Sequence, residues 1–98
     1  FQKMKNTAYF INNSRGAIVV EADLVRALKE KQIAGAALDV FEYEPLYKGH
    51  PFLSGELENL LLTPHISGAS PDAIVNGTIM LVDEIKRFIN GQPLLYTQ

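Results

Sequence analysis

Two short apolar runs, residues 8–12 and 33–40, flank a segment whose apolar residues recur at helical spacing. This order constrains the fold more than any other feature of the chain. Ala8-Tyr9-Phe10-Ile11-Asn12 mixes aromatic and branched residues between polar neighbours, and reads as a buried strand. In residues 21–31, Leu24, Val25 and Leu28 share one face while Arg26, Lys29 and Glu30 turn away, which is the pattern of an amphipathic helix. Glu21 suits the N-terminus of that helix, and Lys29 and Lys31 suit its negative C-terminal end. Strand, helix and strand at this spacing make a βαβ unit, whose two strands run parallel. The small residues Ala34-Gly35-Ala36-Ala37 let a helix lie close on the second strand.

A third apolar run, residues 60–63, follows a connection over residues 41–59 that is rich in Pro, Gly and charge. Connections of that length are uncommon in compact domains and usually functional. Ser70 then reads as an N-cap with Pro71 at the first helical position. Ile74, Thr78, Leu81, Ile85 and Phe88 define one stripe along a helix over residues 71–90, and Gly91 and Pro93 stop it. Gly77 inside this helix costs about 1 kcal/mol against Ala, so close packing on a neighbour is expected there.

With 98 residues there is room for one domain. The chain carries nine basic and eleven acidic residues, scattered without a basic stripe, which argues against nucleic acid as a partner. It has no cysteine, which excludes disulfides, thiol catalysis and thiolate metal sites. No apolar run is long enough to span a membrane and no signal-like segment is present, so a cytoplasmic protein with no membrane partner is expected. Phe1-Gln2-Lys3-Met4-Lys5 reads as the tail of a helix, so the chain is expected to start inside a domain.

Each apolar run ends in a polar signature: Asn12-Asn13-Ser14-Arg15-Gly16, then Asp39-Val40-Phe41-Glu42-Tyr43-Glu44-Pro45, then Thr63-Pro64-His65-Ile66-Ser67-Gly68. In an open α/β sheet, ligands bind beyond the carboxyl ends of the strands. Arg15 offers a planar fork for a carboxylate, although alone it reads as a solvated turn residue. His65 titrates near neutral pH and suits general acid/base work, although alone it reads as a histidine satisfied by local backbone. A carboxylate beside His65 would favour its charged form; Asp39, Glu42 and Glu44 all stand as candidates. His50, in the polar connection, is expected to be solvent-exposed, and two histidines without ligand spacing give no metal site.

Taken in order, these residues resemble the D-isomer-specific 2-hydroxyacid dehydrogenase family. The likeness runs through Ser14-Arg15-Gly16, Gly35-Ala36-Ala37-Leu38-Asp39-Val40-Phe41, Glu44-Pro45, Thr63-Pro64-His65 and Gly68-Ala69, and covers nearly the whole chain. The resemblance implies an α/β fold: the nicotinamide-side half of a Rossmann-type doubly wound parallel sheet with a long C-terminal helix. On that reading residues 1–98 are the C-terminal portion of a dinucleotide-binding domain, with residues 71–98 a long helix and tail returning towards an absent substrate domain.

The implied activity of the parent protein is hydride transfer between NAD(P)H, with NAD favoured over NADP, and a 2-keto acid or D-2-hydroxy acid. The resemblance makes Arg15, Glu44 and His65 catalytic: Arg15 holds the substrate carboxylate, His65 is the acid/base, and Glu44 orients and charges it. Asp39 would meet the nicotinamide carboxamide, and Asn13, Ser14, Arg15, His65, Ile66, Ser67 and Gly68 would border the ring. A homodimer is implied. Related NAD-sensing corepressors keep the same Arg, Glu and His, so a binding protein of that kind is the alternative. The sequence contains no G-x-G-x-x-G loop for the pyrophosphate, so these residues alone are expected to be an inactive piece. Where the family often has Asp ahead of the first helix, this chain has Val20.

Overall fold

The computed structural model describes residues 1–96. It separates into two units, residues 1–67 and a second unit that begins at Gly68.

In the first unit, β1 (Tyr9–Asn12), β2 (Gly35–Leu38) and β3 (Leu60–Leu62) form a parallel sheet in the order β1-β2-β3. Phe10 stands opposite Ala36, and Ala36 opposite Leu60; Asn12, Leu38 and Leu62 form the next matched row. Helix α1 (Glu21–Lys29) joins β1 to β2, as the spacing requires of a βαβ unit. Leu24, Ala27 and Leu28 of α1 pack with Ile33, Ala36, Leu38, Phe52 and Leu57 in the core. Burying each leucine contributes about 1.5–3 kcal/mol. Of the small residues of β2, Ala36 packs in the core with α1, whereas Gly35 is required by its neighbours in the sheet, since a Cβ there would come within 2.8 Å of the Asn59 carbonyl oxygen.

Three expectations need correction. β1 is not fully buried: Tyr9 and Ile11 are 72% and 71% exposed, because they share with Leu61 the sheet face opposite the core row. Phe1–Lys5 form turns rather than a helical tail, with the Met4 amide bonded to the Phe1 carbonyl. The connection over residues 41–59 is not wholly irregular, since Pro51–Leu53 make a 3-10 turn that places Phe52 in the core.

In the second unit, α2 (Pro71–Ile89) starts as expected: the Ser70 hydroxyl accepts the Ala73 N–H at 3.0 Å. The tail turns back on this helix, with the Leu95 and Tyr96 amides donating to the Glu84 carboxylate. Within this unit a Cβ at Gly77 would meet no atom within 4 Å, so the close packing expected there is not made by this unit. Residues 97 and 98 of the expected tail lie outside the described residues.

Both helices end in the same way. Past α1, the Lys31 and Gln32 amides donate to the Leu28 and Ala27 carbonyls; past α2, the Gly91 and Gln92 amides donate to those of Phe88 and Arg87. This paired arrangement needs a left-handed residue after the cap, supplied by Gly91 (φ 63°) and, at steric cost, by Lys31 (φ 53°). At the front of α1, Val20 has extended backbone but offers no side-chain acceptor. Val20→Ser supplies one without adding charge beside Glu21 and Asp23, and removes a side chain that is mostly exposed. It should stabilise the chain by about 1 kcal/mol, read as a higher urea midpoint at unchanged slope. An unchanged or lower midpoint would show that the first-turn amides are already satisfied.

Candidate functional site

Because the three strands are parallel, their carboxyl ends share one edge of the sheet. After β1, the buried Asn12 side chain builds the turn: its Oδ1 accepts the Ser14 N–H at 3.1 Å and its Nδ2 donates to the Arg15 carbonyl at 2.9 Å. Arg15 is exposed, and one guanidinium N–H donates to the Ser14 carbonyl at 2.6 Å. Among the described residues Arg15 forms no ion pair with a carboxylate, so its fork is open to a ligand. Asn13 and Ser14 are exposed on the same turn. Gly16 closes it against the second strand end; a Cβ there would fall 1.9 Å from the Phe41 carbonyl carbon. Here only glycine lets the two backbones touch.

After β2, Asp39 is buried. Its Oδ1 accepts the Thr63 hydroxyl at 2.5 Å and the Ile66 N–H at 3.0 Å, and its Oδ2 accepts the Ser67 N–H at 2.9 Å. The Thr63 hydroxyl first, and the Ser67 and Ile66 donors with it, hold this carboxyl well below the usual carboxylate range against the opposing effect of burial. The clamp encloses His65, whose φ of 55° is left-handed and strained for a residue with a Cβ. Two successive amides turned onto one carboxylate stabilise that conformation.

The choice among the three carboxylates is resolved by position. Glu44 Oε2 lies 2.7 Å from His65 Nδ1, and Glu44 Oε1 accepts the Phe41 N–H at 2.8 Å. A carboxylate only accepts, so Nδ1 carries the proton and Nε2 is left to exchange one with a ligand. The His65 hydrogen bond first, then the Phe41 amide, lower the pKa of Glu44. An apolar cavity of about 540 Å³, with Phe41, Leu46, Leu53 and Leu62 in its walls, opens beside the pair. Glu42 contributes only its backbone N–H, which goes to Glu21.

The structure thus brings Glu44 and His65 into contact and sets Asp39 behind the His65 turn. It leaves Arg15 on the neighbouring strand end without a direct bond to either. The Ile66 and Ser67 amides, expected to border a ligand, are taken up by Asp39, so only their carbonyls and side chains remain. Gly68 begins the second unit. His50 is a correction: it is buried rather than exposed, held between Tyr47 and Phe52 with ring centroids 5.1 and 4.8 Å away. Sequence reasoning missed Asn12, Thr63, Glu21 and His50. An Asn at the last position of an apolar strand was the available signal for the first.

A family model described as "D-isomer specific 2-hydroxyacid dehydrogenase, NAD binding domain" matches residues 1–67. The chain is 41% identical over 92 residues to a glycerate dehydrogenase of Methylorubrum extorquens, covering 94% of this chain and 29% of that protein. It is 54% identical over 72 residues to a glyoxylate reductase of Thermofilum pendens, covering 74% and 21%. Among solved structures, a D-isomer specific 2-hydroxyacid dehydrogenase from Xanthobacter autotrophicus, in complex with NADPH and MES, superposes with a TM-score of 0.66 at 42% identity. That match covers 94% of this chain and 36% of the other. The chain therefore spans less than a third of the length of the two curated relatives.

The link between Glu44 and His65 can be tested on the chain itself. Removing a donor from a carboxylate raises its pKa. In His65→Ala the Glu44 carboxyl should titrate at higher pH than in the wild type. Carbon-13 NMR titration of the Glu44 side chain reads this directly. No movement would show that the pair is not formed in solution.

Proposed function

The chain belongs to the D-isomer specific 2-hydroxyacid dehydrogenases, and from that membership and the strand-end geometry we propose that the whole protein reduces a small 2-keto acid to a D-2-hydroxy acid with a nicotinamide dinucleotide. The observation that carries the proposal is the Glu44–His65 pair at 2.7 Å, with Nε2 left unengaged at the edge where Arg15 also stands. Relatives named glycerate dehydrogenase and glyoxylate reductase support short 2-keto and 2-hydroxy acids as the substrate class. The NADPH in the Xanthobacter relative supports NAD or NADP as the cofactor class.

The residues present suit the nicotinamide end of such a cofactor. Asp39 would meet the carboxamide N–H through Oδ2, which accepts the Ser67 N–H, in competition with the Ser67 hydroxyl that also lowers its pKa. The exposed residues Asn13, Ser14 and Arg15 would line one side of the ring, with His65, Ile66 and Ser67 on the other. When bound, the cofactor supplies the hydride. Arg15 fixes the substrate carboxylate with two N–H groups and places its carbonyl oxygen within reach of His65. His65 gives the Nε2 proton to that oxygen as negative charge develops on it. Glu44 holds the ring by Nδ1 and stabilises its charged form before transfer. We assign residues 71–98 as the helix and tail that lead back to a substrate domain. Homodimeric assembly rests on the family resemblance and a cytoplasmic location on the sequence reading alone; no helix among the described residues is long and apolar enough to cross a membrane.

Two variants of the whole protein separate the roles. His65→Ala should lower turnover by roughly 10²–10⁴-fold while cofactor binding, followed by fluorescence, is nearly unchanged. Arg15→Lys should raise the KM for the keto acid far more than that for the cofactor, because an ammonium cannot replace a bidentate fork. Wild-type turnover in the first variant, or a purely cofactor-side defect in the second, would overturn the assignment.

A further inference from the structure

A second carboxylate–histidine pair lies behind the first. Glu21 opens α1, and its side chain is only 15% exposed; that of His50 is 10% exposed. Glu21 Oε2 lies 3.1 Å from His50 Nε2, and Glu21 Oε1 accepts the Glu42 N–H at 3.0 Å. His50 Nδ1 accepts the Phe52 N–H at 3.2 Å. That bond fixes the tautomer: Nδ1 bears no proton, so Nε2 carries one and donates it to Glu21. One mostly buried carboxylate therefore fastens the connection after β2 at two points, residue 42 and residue 50.

The two adjacent amides of this connection go to two different carboxylates. Phe41 N–H binds Glu44, which holds His65, and Glu42 N–H binds Glu21. The same backbone also lies against Gly16, next to Arg15. The segment thus touches both the Arg15 turn and the Glu21 carboxylate, and Glu44 is two residues beyond.

We infer that Glu21 and His50 are positioning residues, which fix the backbone at residues 41–42 so that the Glu44 carboxylate meets His65. The inference rests on the dehydrogenase reading for its kinetic consequence, but not for its structural one. In the whole protein, Glu21→Ala should lower kcat for keto-acid reduction by roughly ten- to a hundred-fold, the cost of misplacing a catalytic group by about an ångström. The KM for the cofactor should hold. Glu21→Gln should recover part of the rate, since its amide oxygen still accepts the Glu42 N–H. His50→Gln, which keeps the apolar shell but breaks the fixed donor–acceptor order, should fall between. The accompanying readout is the NMR titration of Glu44, which should move up towards the ordinary carboxylate value in Glu21→Ala and much less in Glu21→Gln. Movement of Glu44 in a protein that reduces no 2-keto acid would sustain the positioning role and sink the dehydrogenase reading. Folded Glu21→Ala and His50→Gln variants with wild-type kcat and an unmoved Glu44 would overturn the inference, as would a loss of rate that Glu21→Gln does not relieve at all.

Discussion

One buried carboxylate, Asp39, joins the ends of two strands. Parallel strands are tied along their length by backbone bonds, but beyond the last rung the chain ends diverge into loops that must satisfy their own polar groups. Here the ladder extends by one bond at each end, Asp39 N–H to Asn12 and Thr63 N–H to Leu38. The Asp39 side chain then takes over, gathering a hydroxyl and two amides from the segment after β3. Without that charge the left-handed backbone at His65 has no visible compensation, and two amides lose their partner. The position of the imidazole, and through it of Glu44, depends on this clamp.

The remaining strand end is fixed by the absence of a side chain. Gly16 allows the Arg15 turn to rest on the Phe41 backbone, while Asn12 gives that turn its shape from within. Glu21, paired with His50, holds the same backbone through the Glu42 amide. Three loops of different length thus meet through short polar bonds around one edge, while the apolar contacts of α1 lie further back in the core. That division suits a site in which a few groups must be placed closely and the rest of the sheet need only be stable.

Much of this could be read from residue order. The βαβ unit followed from the change of period between residues 12 and 33, and the Ser70 cap and Gly91 stop from residue types that do one thing well. The grouping of Arg15, Glu44 and His65 near one edge followed from their places after three apolar runs. What could not be read depends on which partner a group finds in space. His50 sits in a polar stretch, so nothing local marks it as buried; only the Glu21 carboxylate 29 positions earlier does. Asp39 reads in the sequence as a partner for His65 or a cofactor, and the Thr63, Ile66 and Ser67 donors from another strand end show how little of it is left over. Tyr9 and Ile11 are apolar and yet exposed, because a three-residue alternation cannot say which sheet face is covered. Lys31 at a left-handed position gave no signal at all, since the usual residue there is glycine.

The central claim is that an ionised Asp39 carboxylate organises the turn that carries His65. A group whose folded pKa is depressed contributes stability above its unfolded pKa, about 3.9 for Asp, and loses that contribution as pH falls through the folded value. The backbone amide protons of Ile66 and Ser67 report on it directly, because both donate to this carboxylate. Followed by proton–nitrogen NMR as the pH is lowered, the two amides should hold their shifts through pH 3.9 and then move together with the Asp39 carboxyl well below it. Amides that shift at the ordinary aspartate value, or that ignore the titration of Asp39, would contradict the account.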